Sequence, residues 1–254
     1  MPKIRIKERP IYYFIPALIV LTILAVYPIL NNVSLSLTNK SGAFSLANYQ
    51  RLFKDKWFWN AMLNTGKWAL FTVSMEMVVG MTMAFLMNMR LKGQSLFRSL
   101  LIIPWMTPVI AICAVWKWMY NNDFGILTYA INTAFGTHLT FLSDYNIALY
   151  CLGIIYVWKR APFIMLMYLS GMQSISEDVY EAAELDGCRG FKRLTQITLP
   201  LLFPIIRSLM LISLISSFNQ FTIVHTITGG GPARSTMVIQ NYIYNNGIAA
   251  TAYN

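Results

Sequence analysis

Five long apolar stretches, separated by polar segments, constrain this chain more than any other feature of its sequence. A helix needs about 20 mostly apolar residues to cross the hydrocarbon core of a bilayer. Over the whole chain 56% of the residues are hydrophobic and only 12% are charged, whereas soluble domains are about a quarter charged. The sequence therefore predicts an all-α polytopic transmembrane helical bundle, folded as a single domain over residues 1–254. The predicted spans cover residues 11–30, 62–88, 96–120, 147–172 and 201–224.

The positions of the basic residues predict the orientation of these spans. Lys and Arg collect in the cytoplasmic segments of membrane proteins, and the net charge here is +10. The link over residues 121–146 contains no Lys or Arg and is expected outside. We therefore expect a multi-pass protein of a bacterial or archaeal inner membrane with a cytoplasmic N-terminus. The basic residues that indicate cytoplasmic segments are Lys3, Arg5, Lys7 and Arg9, then Arg90, Lys92 and Arg98, then Arg189, Lys192 and Arg193.

Segment 31–61 does not follow this charge rule. It carries Lys40, Arg51, Lys54 and Lys56, although alternation of the spans places it outside. Its polar and aromatic composition predicts a short helix that lies along the membrane interface.

Other classes of protein find little support in the sequence. The three cysteines form no CxxC pair, and the two histidines, His138 and His225, are far apart, so neither a disulfide framework nor a metal site is predicted. The spans contain no constellation typical of an intramembrane enzyme, and no catalytic residue is assigned. Because the basic residues flank apolar stretches, membrane lipid rather than nucleic acid is the expected partner.

The link over residues 176–200 carries the most specific pattern. Ser176 is a good helix N-cap, acidic residues Glu177 and Asp178 follow it, and Gly187 is suited to end the helix. Val179, Ala182, Ala183 and Leu185 are expected to form a small apolar side of this helix. A second, basic helix is predicted over residues 188–195, with Pro200 preceding the next span.

This link resembles the EAA motif of ATP-binding-cassette importer permeases. Residues 181–183 (EAA), Gly187 and residues 197–200 (ITLP) all stand at the spacing of that motif. In that family the short helix is the coupling helix, which sits in a groove of the cytoplasmic ATPase. The resemblance implies that this chain is a non-catalytic transport subunit and that ATP and Mg are bound by the partner ATPase, with no cofactor in this chain. The residues implied to contact the ATPase are Glu181, Ala182, Ala183, Asp186 and Gly187.

Other segments resemble the carbohydrate branch of this family, the maltose-type and glycerol-phosphate-type permeases. They are residues 158–166 (WKRAPFIML), 169–173 (LSGMQ), 218–221 (FNQF) and 228–232 (TGGGP). The resemblance implies import of a sugar, polyol or glycerol-phosphate compound by alternating access. It also implies three kinds of partner: a second related permease, two ATPase subunits and an extracytoplasmic binding protein. The family normally has a sixth span, which is expected after residue 254.

Polar residues within the spans are candidates for the transport pathway. A charge in the membrane is costly and must face a cavity or a partner. Pro162 predicts a break in the fourth span, and residues 229–232 predict a turn on the outer face. Helix packing is the alternative role for the polar residues, and Gly80 and Ala84 have the spacing of a packing face. The pathway candidates are Phe218, Asn219, Thr222, Glu76, Lys159 and Arg160.

The alternative function is a secondary transporter driven by an ion gradient. Glu76 would then be its proton site. The cytoplasmic link discriminates between the two functions, because a secondary transporter has no need for the EAA spacing.

Overall fold

The computed structural model describes residues 11–39, 42–89 and 92–248. Over these residues the chain is helical, and its one β-bridge joins Thr38 to Phe44, so the all-α fold is confirmed. Several of the basic residues used above, namely those before residue 10 together with Lys40 and Arg90, lie outside the described ranges. The helices are α1 (Ile11–Leu21), α2 (Tyr27–Ser36), α3 (Ala47–Lys54), α4 (Lys56–Asn88), α5 (Gln94–Met106), α6 (Val109–Met119), α7 (Ile126–Phe135), α8 (Ala148–Gln173), α9 (Glu177–Leu185), α10 (Gly190–Arg193), α11 (Leu199–Phe218), α12 (Thr222–Ile227) and α13 (Ile239–Ile243).

The chain divides into two compact units, and the first ends at Phe58. In this unit a π-helical turn, Thr22–Val26, joins α1 to α2, which gives one apolar helix. The side chain of Asn48 on α3 donates hydrogen bonds to the carbonyls of Ser36 and Thr38, at 3.1 Å each. The short helix predicted in segment 31–61 is therefore α3, with basic residues in its last turn, and its place at a membrane interface stays a prediction.

Four helices are long and apolar enough to cross a membrane: Tyr13–Ser36, Lys56–Asn88, Ala148–Gln173 and Gly190–Ile227. The predicted third span is instead two helices, α5 and α6, which meet at an angle of 95°. Counted as one broken span, this pair brings the total over the described residues to the five that were predicted. The expected sixth span stays a prediction.

The break in the third span has a local cause. Pro108 restricts the residue before it to extended backbone, and Thr107 has φ −70° and ψ 136°. Pro108 also has no N–H to offer the carbonyl of Pro104. The ammonium group of Lys159 on α8 donates instead, at 2.8 Å to the carbonyl of Thr107, 3.1 Å to that of Trp105 and 3.5 Å to that of Pro104. A positive charge is stabilised at a helix C-terminus, so Lys159 holds the bend.

The predicted break at Pro162 was wrong. The helix α8 runs without interruption from Ala148 to Gln173. One proline removes a single backbone hydrogen bond, and Ala161 and Pro162 are both buried. Tertiary packing on both sides of Pro162 therefore keeps the helix continuous.

The second unit, from Trp59 onward, contains two apolar cores. The first includes Trp68 of α4, Leu152 and Ile155 of α8, and Ile223 of α12. The second includes Ala84 of α4, Ile164 and Leu169 of α8, and Leu202 and Leu209 of α11. The segments of α4, α8 and α11 between the two cores carry polar residues, which are buried except for Arg160, whose side chain is 20% exposed. We call these residues (Thr72, Glu76, Arg160, Ser213 and Ser217) the polar layer.

A glycine allows α4 to approach α8 closely. A Cβ atom on Gly80 would lie 2.5 Å from Cγ2 of Ile164, a residue that is fully buried. A Cβ on Gly66, on the same helix, would meet nothing within 4 Å. The predicted packing face of Gly80 and Ala84 is therefore confirmed.

We expect Gly80→Ala to destabilise the purified protein by ~1–3 kcal/mol, because the new methyl group forces Ile164 out of its packed position. Gly66→Ala is the matched control on the same helix, and we expect it to stabilise by ~0.5–1 kcal/mol through its better helix propensity. Thermal unfolding in detergent measures both. Equal unfolding temperatures for the two variants would contradict the close approach of α4 and α8.

We expect Lys159→Met to destabilise the purified protein by ~1.5–3 kcal/mol, because carbonyls at the end of α5 lose a charged hydrogen-bond donor. Lys117→Met, at an exposed lysine near the end of α6, is the control and should leave the unfolding temperature within a degree or two. The same thermal measurement tests this pair. An unchanged unfolding temperature for Lys159→Met would show that the lysine does not hold the bend.

Candidate coupling helix and transport pathway

The helix α9 begins and ends where the sequence predicts. Ser176 precedes it in extended conformation, and Glu177 and Asp178 form its acidic first turn. At its other end the amide of Cys188 donates to the carbonyl of Ala183 at 2.8 Å, and the amide of Gly187 donates to that of Glu184 at 3.1 Å. These two bonds form a Schellman motif, which needs a left-handed residue, and Gly187 has φ +73°. Gly187 therefore fixes where α9 ends.

The apolar residues of α9 do not form the single apolar side that the sequence predicted. Ala183 is 5% exposed, whereas Leu185 is 90% exposed. The four apolar residues do not share a side, because two residues along a helix correspond to a rotation of 200°. Among the residues implied to contact the ATPase, Ala183 points inward and the others are exposed: Glu181, Ala182, Asp186 and Gly187.

Leu185 was missed as a surface residue. It lies four positions after Glu181 and so on the same face of the helix. This face of α9 therefore exposes an apolar and an acidic side chain next to each other. The spacing from Glu181 was the signal that could have identified it.

The segment after α9 ties it to the membrane helices. The guanidinium of Arg193 lies 5.3 Å from the ring centre of Tyr180 on α9. The basic helix predicted over residues 188–195 is present as α10, but it is not separate from the next span, because it leads through a π-helical turn, Leu194–Thr198, directly into α11. Pro200 lies inside this continuous helix, directly after the π-helical turn, where it removes one backbone hydrogen bond. The chain thus passes from α9 through a short turn and α10 into a spanning helix.

Glu76 and Arg160 meet in the polar layer. The carboxylate of Glu76 is fully buried, and its Oε2 lies 3.5 Å from Nε of Arg160. The guanidinium of Arg160 also lies 5.4 Å from the ring centre of Phe163 and 5.9 Å from that of Tyr156. Lys159, although adjacent in sequence, points to the end of α5. The role of all three in a transport pathway stays a prediction.

The other pathway candidates lie at a second helix break. Phe218 is the last residue of α11, Asn219 follows it, and Thr222 is the first residue of α12. Phe218 and Asn219 are exposed, and Thr222 is half-buried. The Asn219 amide donates to the carbonyl of Ile215 at 2.9 Å, which leaves its side-chain oxygen available to a ligand.

Three rings beside this break were missed by sequence reasoning. The ring centre of Phe221 lies 4.6 Å from that of His225, in a stacked arrangement, and 5.0 Å from that of Tyr244. The centres of His225 and Tyr244 are 4.9 Å apart. Tyr244 is distant in sequence, so its place in the cluster could not be predicted. Only the four-residue spacing of Phe221 and His225 indicated that two of the rings lie on the same face of a helix.

The loop after α12 is the predicted turn. Gly229 and Gly230 have φ +61° and +96°, which glycine adopts at little cost. The side chain of Asn64 on α4 donates to the carbonyls of Arg234 at 3.3 Å and Met237 at 3.2 Å. Thr65 accepts a hydrogen bond from the amide of Ile239 at 2.8 Å. The start of α4 thus holds the loop in place.

The fold matches solved structures of importers. A bacterial alginate ABC transporter, crystallised with a periplasmic protein that carries an alginate pentasaccharide, matches with a TM-score of 0.82. The match covers 96% of this chain and 84% of that chain, at 20% sequence identity. At this identity the match shows the fold alone.

Two curated relatives are similar over most of their length. The trehalose/maltose transport system permease protein MalF of Thermococcus litoralis is 31% identical over 251 residues, which are 96% of this chain and 85% of that protein. The sulfoquinovosyl glycerol transport system permease protein SmoG of Agrobacterium fabrum is 32% identical, over 92% of this chain and 78% of that protein.

A family model matches most of the chain. It covers residues 76–253 and describes the inner membrane component of binding-protein-dependent transport systems. The match contains the polar layer except Thr72, and also α9 and the break between α11 and α12. This chain belongs to the family of binding-protein-dependent transport system inner membrane components.

Proposed function

We propose that this chain is the permease subunit of an ATP-driven importer and moves a sugar, or a related polyol or glycerol-phosphate compound, by alternating access. The observation that carries the proposal is the surface of α9. Glu181 and Leu185 stand exposed on one face of a short helix, and the chain then turns at Gly187 and enters α10, which runs into the spanning helix α11. This is the arrangement that a subunit needs to transmit movement from an ATPase to the membrane.

The partners follow from this arrangement. Two cytoplasmic ATPase subunits, which bind ATP and Mg, would receive α9 of this chain and the equivalent helix of a second, related permease. An extracytoplasmic binding protein would deliver the substrate. The surface of α9 is polar and apolar at once, as protein contact surfaces commonly are, and it carries no group for chemistry of its own. An ion-gradient-driven transporter would have no use for such a helix.

The carbohydrate class is supported by two observations. Both relatives above are named for the transport of sugars or a sugar derivative. The break between α11 and α12 also carries an amide, a hydroxyl and an aromatic ring within five residues of chain, in Asn219, Thr222 and Phe218. Ligand sites combine apolar or aromatic walls with a few polar groups that fix orientation.

We expect Leu185→Asp and Glu181→Lys to abolish uptake and to reduce co-purification of the ATPase subunits at least tenfold, because both change the exposed face of α9. The two permeases should still assemble, since neither side chain is buried. Phe44→Asp, which replaces another largely exposed apolar side chain in a segment predicted outside, is the control and should keep the ATPase bound. Normal ATPase binding by both α9 variants would contradict the proposed coupling surface.

We expect the link that contains α9 to be cytoplasmic and the link over residues 121–146 to be extracytoplasmic. His138→Cys should react with a membrane-impermeant maleimide in intact cells, whereas Lys192→Cys should react only after the membrane is permeabilised. Both positions are exposed, and the three natural cysteines are buried. The reverse labelling pattern would invert the proposed orientation.

We expect Phe218→Ala and Asn219→Ala to raise the apparent KM for sugar uptake by roughly three- to tenfold, the effect of losing one or two ligand contacts. ATPase association should be unchanged. Met210→Ala, at a half-exposed residue about two turns earlier on α11, serves as the control. An unchanged KM in both variants would place the pathway elsewhere.

A further inference from the structure

The polar layer contains complementary groups that meet without completing their hydrogen bonds. Both carboxylate oxygens of Glu76 are buried and lack a hydrogen-bond partner among the described residues, as does Oγ of Ser213. Arg160 leaves its Nε and one Nη atom in the same condition. The Ser213 hydroxyl and the Arg160 guanidinium both lie close enough to interact with the Glu76 carboxylate, but neither reaches the geometry of a well-formed hydrogen bond.

These three residues have the chemistry to satisfy one another fully. A guanidinium donates two parallel hydrogen bonds to a carboxylate, and a serine hydroxyl donates a third. In the structure the guanidinium instead offers a single long contact, at 3.5 Å through Nε, and lies beside the rings of Phe163 and Tyr156. A buried polar network is costly when it is only partly satisfied, so a conformation with all partners paired would be favoured at this point.

A neighbouring pair shows what a completed contact between the same helices looks like. The hydroxyls of Thr72 on α4 and Ser217 on α11 are 2.9 Å apart, and both residues are buried. Thr72 lies four residues before Glu76, and Ser217 lies four residues after Ser213. The two antiparallel helices thus carry one completed polar contact, between Thr72 and Ser217, which we call the closed contact. One turn away they carry an incomplete one, between Glu76 and Ser213, which we call the open contact.

The third member of the open contact belongs to α8, so a shift between helices is what would close it. The neighbouring Lys159 fixes α8 to the end of α5. Arg160 has no comparable anchor among the described residues beyond the two rings and Glu76. A small sliding or rotation of α4 and α11 against α8 would therefore change the Arg160 contacts without breaking those of Lys159.

We propose that Glu76, Arg160 and Ser213 are positioning residues that form a lock between α4, α8 and α11, and that the lock closes in a different conformation of the transport cycle. The lock rests on the proposed function, because it requires a cycle with at least two conformations. The closed lock stabilises the conformation in which it forms. The lock therefore sets how readily ATP binding moves the permease from one conformation to the other. Its members need not touch the substrate.

A double-mutant cycle on the conformational equilibrium tests the lock. The full assembly, in lipid nanodiscs, carries one fluorescent dye on each ATPase subunit, so that energy transfer reports the ratio of open to closed ATPase pairs at a fixed, subsaturating ATP concentration. The wild type, Glu76→Gln, Arg160→Gln and the double variant are compared. A non-additive effect on this ratio measures how much the Glu76–Arg160 interaction differs between the two conformations.

We expect each single variant to shift the open-to-closed ratio by about tenfold, and the double variant to shift it at least fivefold less than the product of the two. The matched control is the cycle of Thr72→Val and Ser217→Ala, whose closed contact should give additive effects within about twofold. If Glu76→Gln does not assemble, the cycle of Ser213→Ala and Arg160→Gln tests the same lock.

Additive effects in the lock variants, as in the control, would overturn the proposal and identify a static packing contact. An assembly in which ATP does not close the ATPase pair would contradict the proposed function itself. ATP-driven closing with additive variants would contradict the lock alone.

Discussion

Every polar group that this chain carries into the membrane has to find its partner inside the protein, because lipid offers none. This requirement explains the most unusual features of the fold. The ammonium of Lys159 binds the carbonyls that a proline leaves unpaired at the end of α5, and so permits a bend of 95°. Thr72 and Ser217 pair between α4 and α11. Glu76 and Arg160 meet between the two apolar cores, where the pairing is only partly made.

The same architecture connects the membrane to the cytoplasmic link. The helix α9 is short and ends at a left-handed glycine, and the chain then passes through α10 into α11 without a separate loop. In the proposed function, a force applied to Leu185 and Glu181 would reach α11, which carries Ser213 of the polar layer and ends at the break beside Asn219. The exposed face of α9, two residues of the polar layer (Ser213 and Ser217) and the break beside Asn219 lie along one continuous stretch of chain, which is the physical basis for proposing that they act in one transport cycle.

Local sequence patterns predicted the features that depend on local physics. The end of α9 at Gly187 follows from C-capping and its acidic first turn from the helix dipole, although the Ser176 side chain makes no capping hydrogen bond. The long apolar helices follow from composition. The break at Pro108 and the continuity of α8 through Pro162 could not be predicted in the same way, because both depend on tertiary contacts: the reach of Lys159 in one case, burial on both sides in the other. The same holds for the ring cluster that Tyr244 completes. The position of Leu185 on the same face as Glu181 could have been predicted from helix geometry, but its exposure was not inferred.

Uptake of a labelled disaccharide into proteoliposomes tests the central claim most directly. The liposomes contain this chain with its partner permease and ATPase subunits, and the binding protein is added outside. The account predicts uptake that requires both ATP inside and the binding protein, and that continues at the same rate when a protonophore and an ionophore collapse all ion gradients. Uptake that proceeds without ATP and stops when the gradients collapse would contradict it and would establish an ion-coupled transporter instead.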